Sequence, residues 1–545
     1  MKRLWRWSLE SYGVLLSLCI VYPVLFFLRN NSHMFRVSEI AESLGLVLLC
    51  CLPLFLIDVL ARSLKLSGWK QKLLDVCAVG VGLTVIVITV VQPALHYWFI
   101  SLCDNVRLRH IVWCLPSPLL SLLALRWRKK FATVSILILS VVAVLVTIQR
   151  EYRSAQIDRK ILGPDFCKPL PITFKKKPNV YLFFLESYTD NKSLEEIYHT
   201  SSAELMQCLD KQGFTVLDSC FANYCTTLPS LSSVFLMEHH YYQPTAGDSD
   251  ISRGLYRVLN GENPVVQTFK AHGYRINAMD CGRGHVSRGD SSVDAYFCAH
   301  PERRFKDILP YYRLREVLGN LGLITEEEGD EYPEFLLIDT EFLLARLRQQ
   351  QEEKVPQFYC IYAGAGHSSC SLFFEEPERL DRHEIEIYPG APRFMEETYP
   401  RARREADREL IRVLEMIHEH DPEALVILIG DQAPHRYNVL DYGWEGDVNA
   451  RIRSWGIEPS LVARDNVAVL CAIKWGFSPR YFTKETVVSH VNLIRLLFAG
   501  LAENPSILEN CVQNISLVSA NIFSSNRLYL VAEENKLASE WKKFT

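Results

Sequence analysis

Five uncharged stretches within the first 150 residues constrain this chain more than any other feature: Ser11–Leu28, Ser43–Ile57, Val76–Cys103, His110–Leu125 and Phe131–Gln149. A bilayer core takes about 20 apolar residues per helix. The first, third and fifth stretches meet that length. The second reaches it by running past Asp58 into Val59–Ala61, and the fourth, interrupted by Pro116 and Pro118, by borrowing flanking residues. Lys/Arg clusters bound the stretches, a pattern that buried helices of a soluble core do not repeat five times over. No small-residue cleavage site follows the first stretch, so it does not read as a removable leader. Residues 1–149 are therefore expected to form a five-helix transmembrane bundle.

The basic residues orient it. The N-terminus carries Lys2, Arg3 and Arg6, and the second loop carries Arg62, Lys65, Lys70 and Lys72. The fourth loop carries Arg126, Arg128, Lys129 and Lys130, whereas the first and third loops hold two basic residues each. The alternation places the N-terminus and the even loops in the cytoplasm. An odd number of spans then puts everything after Gln149 outside. Residues 1–150 carry 16 basic and 6 acidic side chains, and the remainder is net acidic. With 59 Lys+Arg against 63 Asp+Glu overall, nothing suggests a nucleic-acid partner.

Residues 150–178 read as a juxtamembrane connector, and a new pattern starts at 179. Asn179–Leu185, Gln357–Ala363, Ala424–Gly430 and Val467–Lys474 are short, mostly continuous apolar runs, as in strands buried on both faces of a parallel sheet. Between them lie helical patterns, such as Arg401–His420 with Leu410, Ile411, Leu414 and Ile417. This alternation predicts an α/β/α sandwich over 179–545. Ten cysteines lie beyond residue 150, with no CxxC or zinc-finger spacing, and read as bridges or buried thiols.

Ligands of open α/β sheets sit beyond the carboxyl ends of the strands. Glu186 and Ser187 follow the first run, Gly364, Gly366 and His367 the second, and Asp431, Gln432 and His435 the third. One acidic residue at a strand end is usually a cap or a solvated loop; convergence at three ends is a chemical signal. A further segment, Asn223–Ser233, opens an apolar helical stretch through Met237. Thr227 there is either an ordinary cap or a hydroxyl at an anion-binding helix start. His239, His240, Tyr241 and Tyr242 fit a packed aromatic helix end better than a substrate lip.

These segments together resemble the alkaline phosphatase/sulfatase superfamily. With five spans in front, the resemblance is to the membrane-anchored phosphoethanolamine transferases and lipoteichoic acid synthases. It covers roughly residues 179–502. NVYLFFLES matches the opening strand with its metal-binding Glu, here Glu186. Thr227-Leu228-Pro229-Ser230 stands where sulfatases carry Cys-x-Pro-Ser-Arg and the transferases a nucleophilic threonine. His367 matches a substrate-side histidine, and Ile429-Gly430-Asp431 the strand ending in a metal-binding Asp. Val487–Gly500 is similar to the closing segment of the fold. Two departures stand out: Gln432 occupies a position where the family has His or Asn, with His435 as another source of a ligand, and Thr227 cannot become formylglycine.

The resemblance implies a metal-dependent transferase in a bacterial inner membrane, its catalytic domain periplasmic. Phosphoethanolamine or phosphoglycerol would pass from a membrane phospholipid to Thr227 and on to an envelope glycan or lipid. Glu186, Thr227, Asp431 and Gln432 or His435 would hold a divalent cation, zinc first and manganese, magnesium or calcium as alternatives. His367 would bind substrate. The alternatives are a phosphodiesterase or other hydrolase of the same fold, and a catalytically degenerate envelope protein.

Overall fold

The structure, a computed structural model, describes residues 68–69, 166–217, 220–240, 255–280, 293–298, 343–348, 355–363, 391–437, 446–478, 488–519, 528–534 and 536–544. Apart from residues 68–69, these lie in one compact unit, Arg153–Ala299 with Glu331–Thr545. The five expected membrane helices fall outside the described residues. Among the described residues no helix is long and apolar enough to cross a membrane.

The apolar runs form the centre of a seven-stranded sheet. In chain order its strands are β1 (Val180–Leu185), β2 (Thr215–Val216), β4 (Arg275–Asp280), β5 (Ala295–Cys298), β6 (Gln357–Ala363), β7 (Leu425–Gly430) and β8 (Cys471–Lys474), and β3 (Cys220–Phe221) belongs elsewhere. The spatial order is β2-β8-β7-β1-β6-β4-β5. β1 lies between β6 and β7, parallel to both, with Leu185 opposite Ala363 and Gly430. The Val467–Lys474 run departs from expectation. Val467 ends a helix, only Cys471–Lys474 is a strand of this sheet, and it runs antiparallel to β7.

Helices cover both faces, which is why the central strands are apolar without alternation. They are α1 (Asn191–Tyr198), α2 (Ala203–Lys211), α3 (Thr227–Leu236), α4 (Pro264–Ala271), α5 (Ala391–His420), α6 (Val448–Ser454), α7 (Pro459–Val467) and α8 (His490–Ala502). On one face Val180, Leu182 and Phe184 of β1 meet Leu231 and Phe235 of α3, Phe269 of α4 and Leu493 and Phe498 of α8. On the other, Tyr181, Phe183 and Leu185 meet Leu209 of α2 and Leu410, Val413, Leu414 and Ile417 of α5. The result is a mixed α/β sandwich of three layers. Each large side chain buried this way contributes about 1.5–3 kcal/mol.

Local signals set the helix ends. Asp190 accepts from Ser193 N at 2.8 Å to start α1, and Asn263 accepts from Val266 N at 2.8 Å to start α4. A two-stranded pair, β3 with β9 (Val488–Ser489), and a three-stranded sheet, β10 (Ile515–Ser519), β11 (Leu528–Glu533) and β12 (Lys536–Lys543), complete the described strands. Among the described residues, Cys167, Cys208, Cys220, Cys225, Cys360, Cys471 and Cys511 are free thiols. Burial pushes the Cys225 thiol up to about 11, so it is unreactive near neutral pH.

Candidate active site at the carboxyl ends of β1 and β7

The β1–β7 register carries one residue beyond the strands, where Asp431 N donates to Leu185 O at 3.0 Å and Glu186 N to Ala363 O at 2.9 Å. Strand alternation puts Glu186 on the face of Leu182 and Phe184, and Asp431 on the face of Ile427 and Ile429. Those four apolar residues share the core face on which α3 packs. Both acidic residues are buried, at 1% and 0% exposure. Gly430 makes this possible, since a Cβ there would lie 2.2 Å from the Tyr188 carbonyl oxygen.

Thr227 is the first residue of α3, and Thr226 before it is the extended N-cap residue. Its hydroxyl donates to Asp431 Oδ2 at 2.7 Å. Three residues on, Ser230 Oγ donates to the Asp431 carbonyl at 2.5 Å and lies 3.0 Å from His490 Nδ1 at the start of α8. The His490 ring is fully buried, and burial pushes its pKa down to about 3. The helix bearing Thr227 is thus bolted to the strand end bearing Asp431 at two points.

Gln432 adjoins both. Its Nε2 donates to Thr227 Oγ1 at 3.2 Å, and its Oε1 lies 3.2 Å from His435 Nε2. His435 adopts φ +60° and places Nδ1 2.8 Å from Asn466 Oδ1. Asn466 Nδ2 in turn donates to the Val462 carbonyl at 2.8 Å. Thr227, Asp431, Gln432 and His435 are therefore linked side chain to side chain, while Glu186 joins them through the β1–β7 register. His367 lies outside the described residues.

Ser187, directly after Glu186, is left-handed at φ +52°, which costs a non-glycine residue of order 1 kcal/mol. Its N–H donates to Asp431 Oδ1 at 2.8 Å. Sequence reasoning missed the residues that hold this turn, Tyr399 and Arg403, and missed His490 and Asn466. His240 is packed as expected of a helix end, stacked on Tyr224 at 4.5 Å with its ring nitrogen 2.8 Å from the Pro229 carbonyl.

A protein in the alkaline phosphatase superfamily from Vibrio parahaemolyticus is similar at TM-score 0.36 and 12% identity, over 72% of this chain and 91% of that one. The zinc complex of the C-terminal periplasmic domain of EcEptC from Escherichia coli is similar at TM-score 0.40 and 11% identity, over 68% of this chain and 97% of that one. The integral membrane lipooligosaccharide phosphoethanolamine transferase A (EptA) from Neisseria meningitidis is similar at TM-score 0.37 and 13% identity, over 90% and 95%. The lipoteichoic acid synthase LtaP from Listeria monocytogenes is similar at TM-score 0.35 and 12% identity, over 69% and 88%. No protein-family model and no curated protein matches the chain.

Among the described residues no three His, Cys, Asp or Glu side chains form a cluster that could hold a metal ion. The donors that do gather here are a different set: two buried carboxylates, one hydroxyl and one amide. An oxygen-rich set of this kind suits a hard or borderline divalent cation.

Proposed function

We propose that this domain transfers a phosphate-linked head group from a membrane phospholipid to an acceptor, with Thr227 as the nucleophile. The observation that supports this most directly is the Thr227 hydroxyl donating to the buried Asp431 carboxylate at 2.7 Å. A free threonine hydroxyl is a weak nucleophile and needs an adjacent base, and the contact supplies one. Thr227 Oγ1 attacks the phosphorus, its proton passes to Asp431 Oδ2, and the bond from phosphorus to the diacylglycerol oxygen breaks. The diacylglycerol leaves as the alcohol after protonation. Phosphoethanolamine or phosphoglycerol remains on Thr227 as a phosphodiester. In the second half-reaction a hydroxyl or phosphate of an envelope glycan or lipid attacks that phosphorus and releases Thr227. His367 is assigned to binding the substrate phosphate, from its place after β6.

Glu186, Asp431, Thr227 and Gln432 are the residues that would hold a divalent cation, zinc first. When bound, such a cation supplies a lowered hydroxyl pKa and neutralises phosphate charge. Gln432 can serve although it is not a histidine. Asn466 spends its Nδ2 on the Val462 carbonyl and presents Oδ1, so His435 Nδ1 carries a proton. In the neutral ring Nε2 is then an acceptor, so the Gln432 amide, placed with Nε2 toward Thr227 and Oε1 toward His435, would have to turn over, exchanging two isosteric groups. Its carbonyl oxygen would then face Thr227. On this reading His435 orients Gln432 and Gln432 is the ligand.

The anchoring follows from the chemistry, because a phospholipid donor lies in the membrane. The reading therefore includes a five-helix bundle over 1–149, a connector over 150–178, a catalytic domain over 179–545, and a bacterial inner-membrane location with that domain in the periplasm. Labelled phosphatidylethanolamine or phosphatidylglycerol incubated with the full chain tests it. A mass adduct on the peptide containing Thr227 is expected, and its mass names the head group. Thr227→Ala should lower transfer by about 10^4-fold or more. Transfer by that variant at the normal rate would remove Thr227 from the mechanism.

A further inference from the structure

Ser187 is a strained residue with a demanding place in the chain: it follows Glu186 directly and lends its N–H to Asp431. Few L-residues adopt φ +52° unless their surroundings dictate it, and such outliers concentrate where geometry is used. The other side of the Ser187 turn is held by helix α5. Tyr399 donates its hydroxyl to the Ser187 carbonyl at 2.7 Å and accepts from Thr189 N at 3.3 Å. One turn on, Arg403 Nη1 donates to the Thr189 carbonyl at 2.9 Å and Arg403 Nε to Asp407 Oδ1 at 2.9 Å. Tyr188 closes the set, its hydroxyl on Asp407 and its ring 3.4 Å beneath the Arg403 guanidinium.

Tyr399, Arg403 and Asp407 stand four residues apart on one helix face and are 1%, 4% and 6% exposed. Burying an arginine–aspartate pair is a poor route to stability, since desolvation offsets the attraction. A better account is that these groups dictate one backbone path. Burial pushes the Tyr399 pKa upward, so its hydroxyl remains a donor.

We infer that Tyr399, backed by Arg403 and Asp407, is a positioning residue: it holds the Ser187 turn left-handed and thereby fixes Glu186 and Asp431 in the arrangement that takes a cation. This rests on the proposed cation-dependent function. Tyr399→Phe removes one hydroxyl and keeps the ring that packs against Tyr198 at 4.6 Å. Tyr181→Phe is the matched control, deleting a buried hydroxyl that donates to Asp421 Oδ2 at 2.9 Å from the other end of β1.

Two measurements on the full chain in detergent decide it: zinc affinity by competition with a chromophoric chelator, and deuterium uptake of the metal-free protein over residues 186–190. Tyr399→Phe should weaken zinc by roughly tenfold or more, as loss of groups behind metal ligands does, and should speed uptake. Tyr181→Phe should change neither. Wild-type behaviour of Tyr399→Phe in both measurements, or an equal effect of Tyr181→Phe, overturns the inference. If the wild type takes up no zinc, the proposed function falls. Deuterium uptake then still separates a turn held by Tyr399 from one that is not.

Discussion

His490 offers a test with a calculable size. Its ring is fully buried, and burial holds its pKa at about 3 against an ordinary 6.5. Below pH 6.5 the unfolded chain therefore takes up a proton that the folded chain refuses. Stability is lost as pH falls, until the folded pKa is reached. Each pH unit in that window costs about 1.4 kcal/mol, or about 2.7 kcal/mol between pH 7.5 and 4.5 from this one group. His240, pushed down to about 4 by burial, adds to the loss, and Asp465, pushed up to about 6 by burial, opposes it. A comparison with His490→Gln cancels both. At pH 7.5 the variant should be the less stable, having lost the contact with Ser230. The difference should narrow by about 2.7 kcal/mol at pH 4.5. Pulse proteolysis across a urea series at the two pH values, on the full chain in detergent, reads both numbers. A difference that stays constant with pH would mean that the ring is not held neutral in the core, and the reasoning would be refuted.

Two further perturbations probe the strand ends. Gly430→Ala drives a methyl against the Tyr188 carbonyl oxygen, 2.2 Å away, and should cost about 1–3 kcal/mol of stability while weakening zinc binding through the adjacent Asp431; an unchanged urea midpoint would show that the strands yield freely. Arg403→Met leaves Asp407 buried without its cation and should cost about 3–5 kcal/mol, with Asp407→Leu in the same chain restoring most of the loss; a double variant no better than the single would contradict the pairing.

The central strands were legible because continuous apolar runs have few other uses in a covered sheet. Gln357–Ala363 appears at its expected bounds, and Val180–Leu185 and Leu425–Gly430 are one residue shorter than expected. β4 was not anticipated, because Arg275 and Asn277 interrupt its run; Asn277 is buried and donates to Gln357 at 2.9 Å. The C-terminal three-stranded sheet was also missed, since register shifts at Ser516/Leu517 and Leu530/Ala532 break the period-two alternation that marks a strand. The Thr227–Asp431 contact spans 204 residues and came into view through the family resemblance, because no local rule joins residues so far apart.

The support behind the site had a readable signal. The apolar stripe of α5, followed from Ile417 through Leu414 and Leu410 toward its start, runs into Asp407, Arg403 and Tyr399. Charged groups on a core stripe mark a buried polar network. The charge density of the helix as a whole concealed it.

Anomalous diffraction at the zinc edge, on crystals of the protein grown with zinc, tests the account where it is most exposed. A single strong peak is predicted at bonding distance, about 2.0–2.2 Å, from Asp431, Glu186 and Thr227 Oγ1. Zinc bound only elsewhere, with no peak between Asp431, Glu186 and Thr227, would contradict it.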